Sequence, residues 1–168
     1  PKVVRAAKKP DLTITNIDDF FKQLESMEES KRDQFVYDNF TAIAAKTKFP
    51  IVNGSKVLFV YKSDGKILPK LELRGEMNGW GFDRIKGKNI AFRNIPGTDI
   101  YLYETELSKG AYEYKFTVNR ITISFSEFEK LSDEDKIKTA GQLDWIMDSL
   151  NPVEKAGGFG ANSYIKID

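Results

Sequence analysis

Residues 111–118, AYEYKFTV, alternate strictly: Tyr112, Tyr114, Phe116 and Val118 fall on one side of an extended chain, and Glu113, Lys115 and Thr117 on the other. A period of two with aromatic and β-branched residues on the apolar side specifies a strand with one face on a core and one toward water. Other runs follow the same logic. KVLFVYK (56–62) is a nearly continuous apolar run, KLELRG (70–75) places Leu71 and Leu73 on one side, and DIYLYETEL (99–107) does the same with Tyr101 and Tyr103. Turns at Ser63-Asp64-Gly65, Lys86-Gly87-Lys88-Asn89, Pro96-Gly97-Thr98 and Lys109-Gly110 separate these runs at the spacing of an antiparallel sandwich.

Two helices precede the strands. Thr15-Asn16-Ile17-Asp18 has capping-box spacing, and Ile17, Phe20, Phe21, Leu24 and Met27 then recur at helical period. Ser30-Lys31-Arg32-Asp33 repeats the start signal, followed by Val36, Phe40, Ile43, Ala44 and Thr47. Each helix has one apolar stripe, so each must dock on something. Pro50 closes this region, and the cationic PKVVRAAKKP before it reads as a flexible leader. The expected division is residues 1–48 as leader and helical extension and residues 49–168 as the sandwich.

The strands are interrupted by an insert, residues 120–144, expected to be a surface excursion. Ile121, Ile123 and Phe125 can extend a strand, Ser132 can cap a short charged helix, and Gly141 can end it. A Gly-rich loop and a final strand from Ser163 to Ile167 complete the chain.

The residue inventory removes whole classes of chemistry. The chain has no histidine and no cysteine, which excludes a Ser-His-Asp triad, a Cys-His pair, a disulfide framework and imidazole or thiolate metal sites. No G-x-S-x-G elbow or Walker loop is present. Carboxylates are plentiful, but no spacing singles out a catalytic pair. With 26 basic against 25 acidic residues and a net charge of +1, the totals give no electrostatic footprint for nucleic acid or an anionic membrane. No run approaches a membrane span of roughly 18 apolar residues. The chain begins at Pro1 rather than methionine, so residues upstream are expected and the compartment stays open, with a lean to the periplasm or cell envelope.

One stretch resists a packing explanation. GEMNGWGF (75–82) surrounds Trp80 with glycine, asparagine and acid. Trp80 is either a core-edge indole closing the sandwich or a ring held out for stacking. Trp145, flanked by the apolar Ile146 and Leu150, is expected to be buried. Lys115 is by default a solvated strand lysine, and GGFG (157–160) a tight turn needing positive φ.

Taken together, LRGEMNGW, GAYEYKFTVN, a tryptophan, DSLNP and GGFGANSYI, in that order, resemble the family 48 carbohydrate-binding modules. They also resemble the related N-terminal domain of enterochelin-esterase-like proteins, where a stretch like FPIVNGSKVLFVYKS precedes the same motif. The resemblance implies a mainly β fold, an immunoglobulin-like antiparallel β-sandwich of seven or eight strands, here with two N-terminal helices and one helical insert. It implies a non-catalytic module without cofactor or metal. Its glycogen-binding members imply a glucan site at Trp80, Lys115, Trp145 and Asn162, with Phe159 standing where an aliphatic residue threads the sugar. The expected partner is then a polysaccharide or oligosaccharide, an α-glucan or a related polymer, held by an indole on a flat patch of C–H bonds and by donors on its hydroxyls. The esterase-type members imply the alternative: an accessory or interaction domain packing against a partner protein or a catalytic domain, with no sugar binding.

Overall fold

The structure, a computed structural model, describes residues 4–66, 68, 70–119, 130–140, 143–157 and 160–168. Its helices are α1 (Ile17–Ser26), α2 (Glu29–Ala44) and α3 (Asp133–Ala140). Its strands are β1 (Ile51–Asn53), β2 (Lys56–Lys62), β3 (Leu71–Gly75), β4 (Arg93–Asn94), β5 (Ile100–Glu106), β6 (Gly110–Asn119), β7 (Leu143–Ile146), β8 (Glu154–Gly157) and β9 (Gly160–Ile167). They form two antiparallel sheets, one ordered β1-β2-β5-β4 and the other β3-β6-β9-β8, with β7 added along the far end of β6. This is the expected β-sandwich, with nine strands among the described residues.

Two cores lie on either side of the first sheet. Val57, Phe59 and Tyr101 turn inward against Leu71, Leu73, Tyr114, Phe116 and Ile165 of the second sheet. Val60, Ile100 and Leu102 turn outward and are covered by Phe20, Leu24, Val36, Phe40 and Ile43 of the two helices. A strand buried on both faces cannot alternate, which is why KVLFVYK reads as an unbroken apolar run. Phe20 is the hub of the helical layer, its ring within 6 Å of Phe21, Phe35 and Phe40.

Some sequence expectations shift. Asn16, not Thr15, caps α1, its side chain accepting from Asp19 N at 2.8 Å. α2 starts at Glu29 with no side-chain cap. The N-terminal segment is not a loose leader from Val4 onward, because it runs along α2. Arg5 donates to both Asp33 carboxylate oxygens at 2.8 and 3.0 Å, and Lys9 N and Asp11 N donate to Asp38 and Asn39. Of the insert, α3 is described and is capped as expected, with Asp135 N donating to Ser132 Oγ. Ile121, Ile123, Phe125 and Gly141 lie outside the described residues. Among the described residues, no helix is long and apolar enough to cross a membrane.

Candidate functional site

The residues of interest collect on the outer face of the second sheet. Tyr114 and Phe116 are fully buried in the core, so the alternation of β6 turns Glu113, Lys115 and Thr117 outward. Register fixes their neighbours. Lys115 lies opposite Arg74 of β3, Thr117 is flanked by Glu72 and Trp145, and Glu113 lies opposite Tyr164 of β9. Trp145 therefore stands on the outer face and is 41% exposed. This corrects the expectation of burial: the apolar pattern around it belongs to Ile146, which faces Phe116 across the ladder.

Trp80 reaches the same face from the turn after β3. Asn78 is buried and staples that turn: its Oδ1 accepts from Gly75 N at 3.1 Å and Gly81 N at 3.0 Å, and its Nδ2 donates to Leu73 O at 2.9 Å. Gly75 is required by close approach, since a Cβ there would lie 2.6 Å from the Glu113 carbonyl oxygen. The chain then passes through Trp80 with φ 59° and ψ 26°, a left-handed backbone uncommon for so bulky a residue. The indole ends half-buried, its ring centre 6.3 Å from that of Trp145 and the planes inclined at 54°. Neither sequence reading holds alone: the ring is partly packed and partly presented.

Arg74 organises this pair. Its Nε donates to Thr117 Oγ1 at 2.9 Å, one Nη to the Trp80 carbonyl at 3.2 Å and the other to Glu72 Oε1 at 3.3 Å. Its guanidinium carbon lies 5.1 Å from the ring centre of Phe82 and 6.0 Å from that of Trp145. Burial lowers the Arg74 pKa, opposed by the Glu72 carboxylate. Sequence reasoning missed both Arg74 and Phe82. The signal was in plain view, an arginine on the polar side of KLELRG, but only register shows it opposite Lys115 and one row from Trp145. Thr117, expected on a wet face, is instead fully buried beneath Arg74.

Asn162 lies on the same face, one step beyond the Tyr114–Ser163 pair, and donates through Nδ2 to Glu113 Oε1 at 3.3 Å. Four of the five expected site residues, Trp80, Lys115, Trp145 and Asn162, thus share one surface. Phe159 lies outside the described residues. Behind this face is a buried polar knot. Tyr114 Oη donates to Asp148 Oδ2 at 2.7 Å, Asn151 Nδ2 donates to Tyr114 Oη at 2.9 Å, and Asp148 N donates to Ser163 Oγ at 3.0 Å. Burial raises the Asp148 pKa, and burial with the Asp148 charge raises that of Tyr114. This knot holds the DSLNP turn against the core. No group of three or more carboxylates that could hold a metal ion occurs among the described residues.

No protein-family model matches the chain, and no curated protein does. Solved structures do. The ferric enterobactin esterase of Salmonella typhimurium is 21% identical with a TM-score of 0.50, over 67% of this chain and 31% of that one. The enterobactin esterase of Shigella flexneri is similar in two structures. With 2,3-dihydroxy-N-benzoyl-glycine it is 20% identical with a TM-score of 0.47, over 67% of this chain and 29% of the other. With 2,3-dihydroxy-N-benzoyl-serine the values are 22% and 0.46, over 70% and 31%. At such identities the likeness is one of fold. The chain spans about 30% of the length of these esterases.

Proposed function

We propose that this chain is a non-catalytic accessory domain acting beside an esterase-like catalytic domain, through the outer face of its second sheet. The observation that carries the reading is the extent of the fold likeness: 67% of this chain matches only 31% of a ferric enterobactin esterase. The chain has no histidine, so the usual base of serine-esterase chemistry would have to come from elsewhere. The face built by Trp80, Trp145, Arg74 and Phe82 suits protein contact, since aromatic and arginine side chains dominate the centres of interfaces.

A second reading rests on one observation, the inclined Trp80–Trp145 pair with Trp145 open to solvent. Two indoles at an angle can cover successive rings of a curved oligosaccharide, with Lys115 and Asn162 supplying polar contacts. Tryptophan fluorescence tests both readings. An accessory domain shifts its emission on mixing with a G-x-S-x-G catalytic domain encoded alongside it, and Trp145→Ala weakens that association. Maltoheptaose then has no effect. Quenching by maltoheptaose with a Kd of roughly 10 µM to 1 mM, and no response to the catalytic domain, would replace the accessory reading with the glucan one.

A further inference from the structure

Residues 82–88, Phe-Asp-Arg-Ile-Lys-Gly-Lys, form a knob beside the Trp80–Trp145 pair, and beyond Phe82 neither reading uses it. The knob is folded tightly on itself. Asp83 Oδ1 accepts from Ile85 N and Lys86 N, both at 2.8 Å, and Asp83 O accepts from Gly87 N at 2.9 Å. Gly87 comes so close to the preceding turn that a Cβ there would lie 2.6 Å from the Gly81 carbonyl oxygen. Phe82 is seated from below by the Arg74 guanidinium at 5.1 Å.

What this fixed loop presents is specific. Ile85 is 83% exposed and Phe82 58% exposed. Arg84, Lys86 and Lys88 are all exposed, and among the described residues none of them forms an ion pair. The knob thus sets three cations against one carboxylate, and that carboxylate is engaged with backbone N–H groups, while the whole chain nets only +1. The chain-wide balance of charge conceals this local concentration.

Each feature narrows the partner. Three unpaired cations call for an anionic surface. An isoleucine this exposed cannot stack on a base or exchange a hydrogen bond, so it gains free energy only by removing its apolar surface from water. A rigid protein groove would need a complementary pocket for this side chain. A bilayer offers acyl chains beneath a layer of phosphates with no matching shape required. Trp80 leads into the knob and pairs with Trp145, ring centres 6.3 Å apart, and indoles favour the headgroup region of a bilayer. We propose that the 82–88 knob docks the protein on an anionic lipid surface, Ile85 and Phe82 entering the acyl layer and Arg84, Lys86 and Lys88 lying among the phosphates.

The test uses the whole chain with phosphatidylcholine vesicles, with and without phosphatidylglycerol, read by co-sedimentation and by tryptophan fluorescence. Trp80 lies two residues before Phe82 and Trp145 pairs with Trp80, so docking reports itself as a blue shift. Binding is expected on the anionic vesicles only, weakening as salt rises. Arg84→Gln/Lys86→Gln/Lys88→Gln should weaken it about 100-fold, and Ile85→Asp about tenfold. Both variants should keep the wild-type melting temperature, since every altered side chain is exposed. Wild type that ignores anionic vesicles overturns the proposal. So does binding unaffected by Ile85→Asp and displaced by a single-stranded oligonucleotide or polyglutamate, which would assign the cations to a soluble polyanion. If a variant fails to melt cooperatively, the wild-type blue shift and its salt dependence decide, and their absence overturns the proposal.

Discussion

Trp80 and Trp145, distant in sequence, meet with ring centres 6.3 Å apart on the outer face of the second sheet. Such pairs contribute about 0.5–1.5 kcal/mol beyond the area they bury. Trp80→Ala should therefore cost about 1–2 kcal/mol, between the values for a free surface ring and a core ring. Urea melts give the loss, and the remaining Trp145 emission should move to the red. A cost above about 3 kcal/mol would place Trp80 in the core instead.

Arg74 offers a sharper test, because its three polar contacts are spread over a rigid fork. Arg74→Met leaves Glu72 and the Trp80 carbonyl unpaired under partial burial, and about 3 kcal/mol should be lost. Arg74→Lys should recover little, since an ammonium cannot reach the Thr117 hydroxyl, the Glu72 carboxylate and the Trp80 carbonyl together. Substantial recovery by lysine in a denaturant titration would show that only the charge matters.

The helical layer should melt with the sandwich. Both tryptophans report on the second sheet, whereas far-UV circular dichroism is dominated by α1 and α2. The shared wall of Val60, Ile100 and Leu102 couples the two cores, so the two signals should give one transition. Phe20→Ala, at a fully buried ring, should lower both midpoints together and cost about 3–5 kcal/mol. A helix signal lost before the tryptophan signal would show that the two cores unfold separately.

Asp148 sets a pH dependence with a definite sign. Its folded pKa is raised above the ordinary 3.8, chiefly by burial. The folded state then holds the proton more tightly than the unfolded state. Its contribution is complete below pH 3.8, is lost as pH rises to the elevated folded value, and is flat above it. Unfolding free energies of wild type and Asp148→Asn, measured across that window, should differ by an amount that shifts against wild type as pH rises. A constant difference would mean that Asp148 titrates normally.

How much was legible in the sequence depends on what held each element. The β6 alternation and the α1 stripe read directly, because burial on one side prints a period on the chain. β2 read as apolar without saying why, since its second covered face depends on helices that arrive from elsewhere. The N-terminal segment does not show its packing in the sequence, because it is held by polar pairs such as Arg5–Asp33, which leave no hydropathic trace. At the site, the motif residues pointed to Trp80, Lys115, Trp145 and Asn162, and register brings them to one face. Arg74 went unseen because a charged residue on the wet side of a strand looks like solvent contact until its cross-strand neighbours are known. Trp145 looks buried in the sequence because its apolar neighbour Ile146 packs against the core, although the two side chains point to opposite faces.

The backbone at position 80 separates two demands on one residue. Its left-handed φ of 59° suits glycine, as the flanking Gly79 and Gly81 illustrate, and costs a residue with a Cβ about 1–2 kcal/mol. Trp80→Gly should accordingly be more stable than Trp80→Ala by about 1 kcal/mol, although both remove the same indole. The backbone of this turn gives tryptophan no advantage, and what the ring contributes comes through its contact with Trp145. The indole sits where the local geometry opposes it, and the glycine variant supplies a molecule with its scaffold intact and only the ring missing.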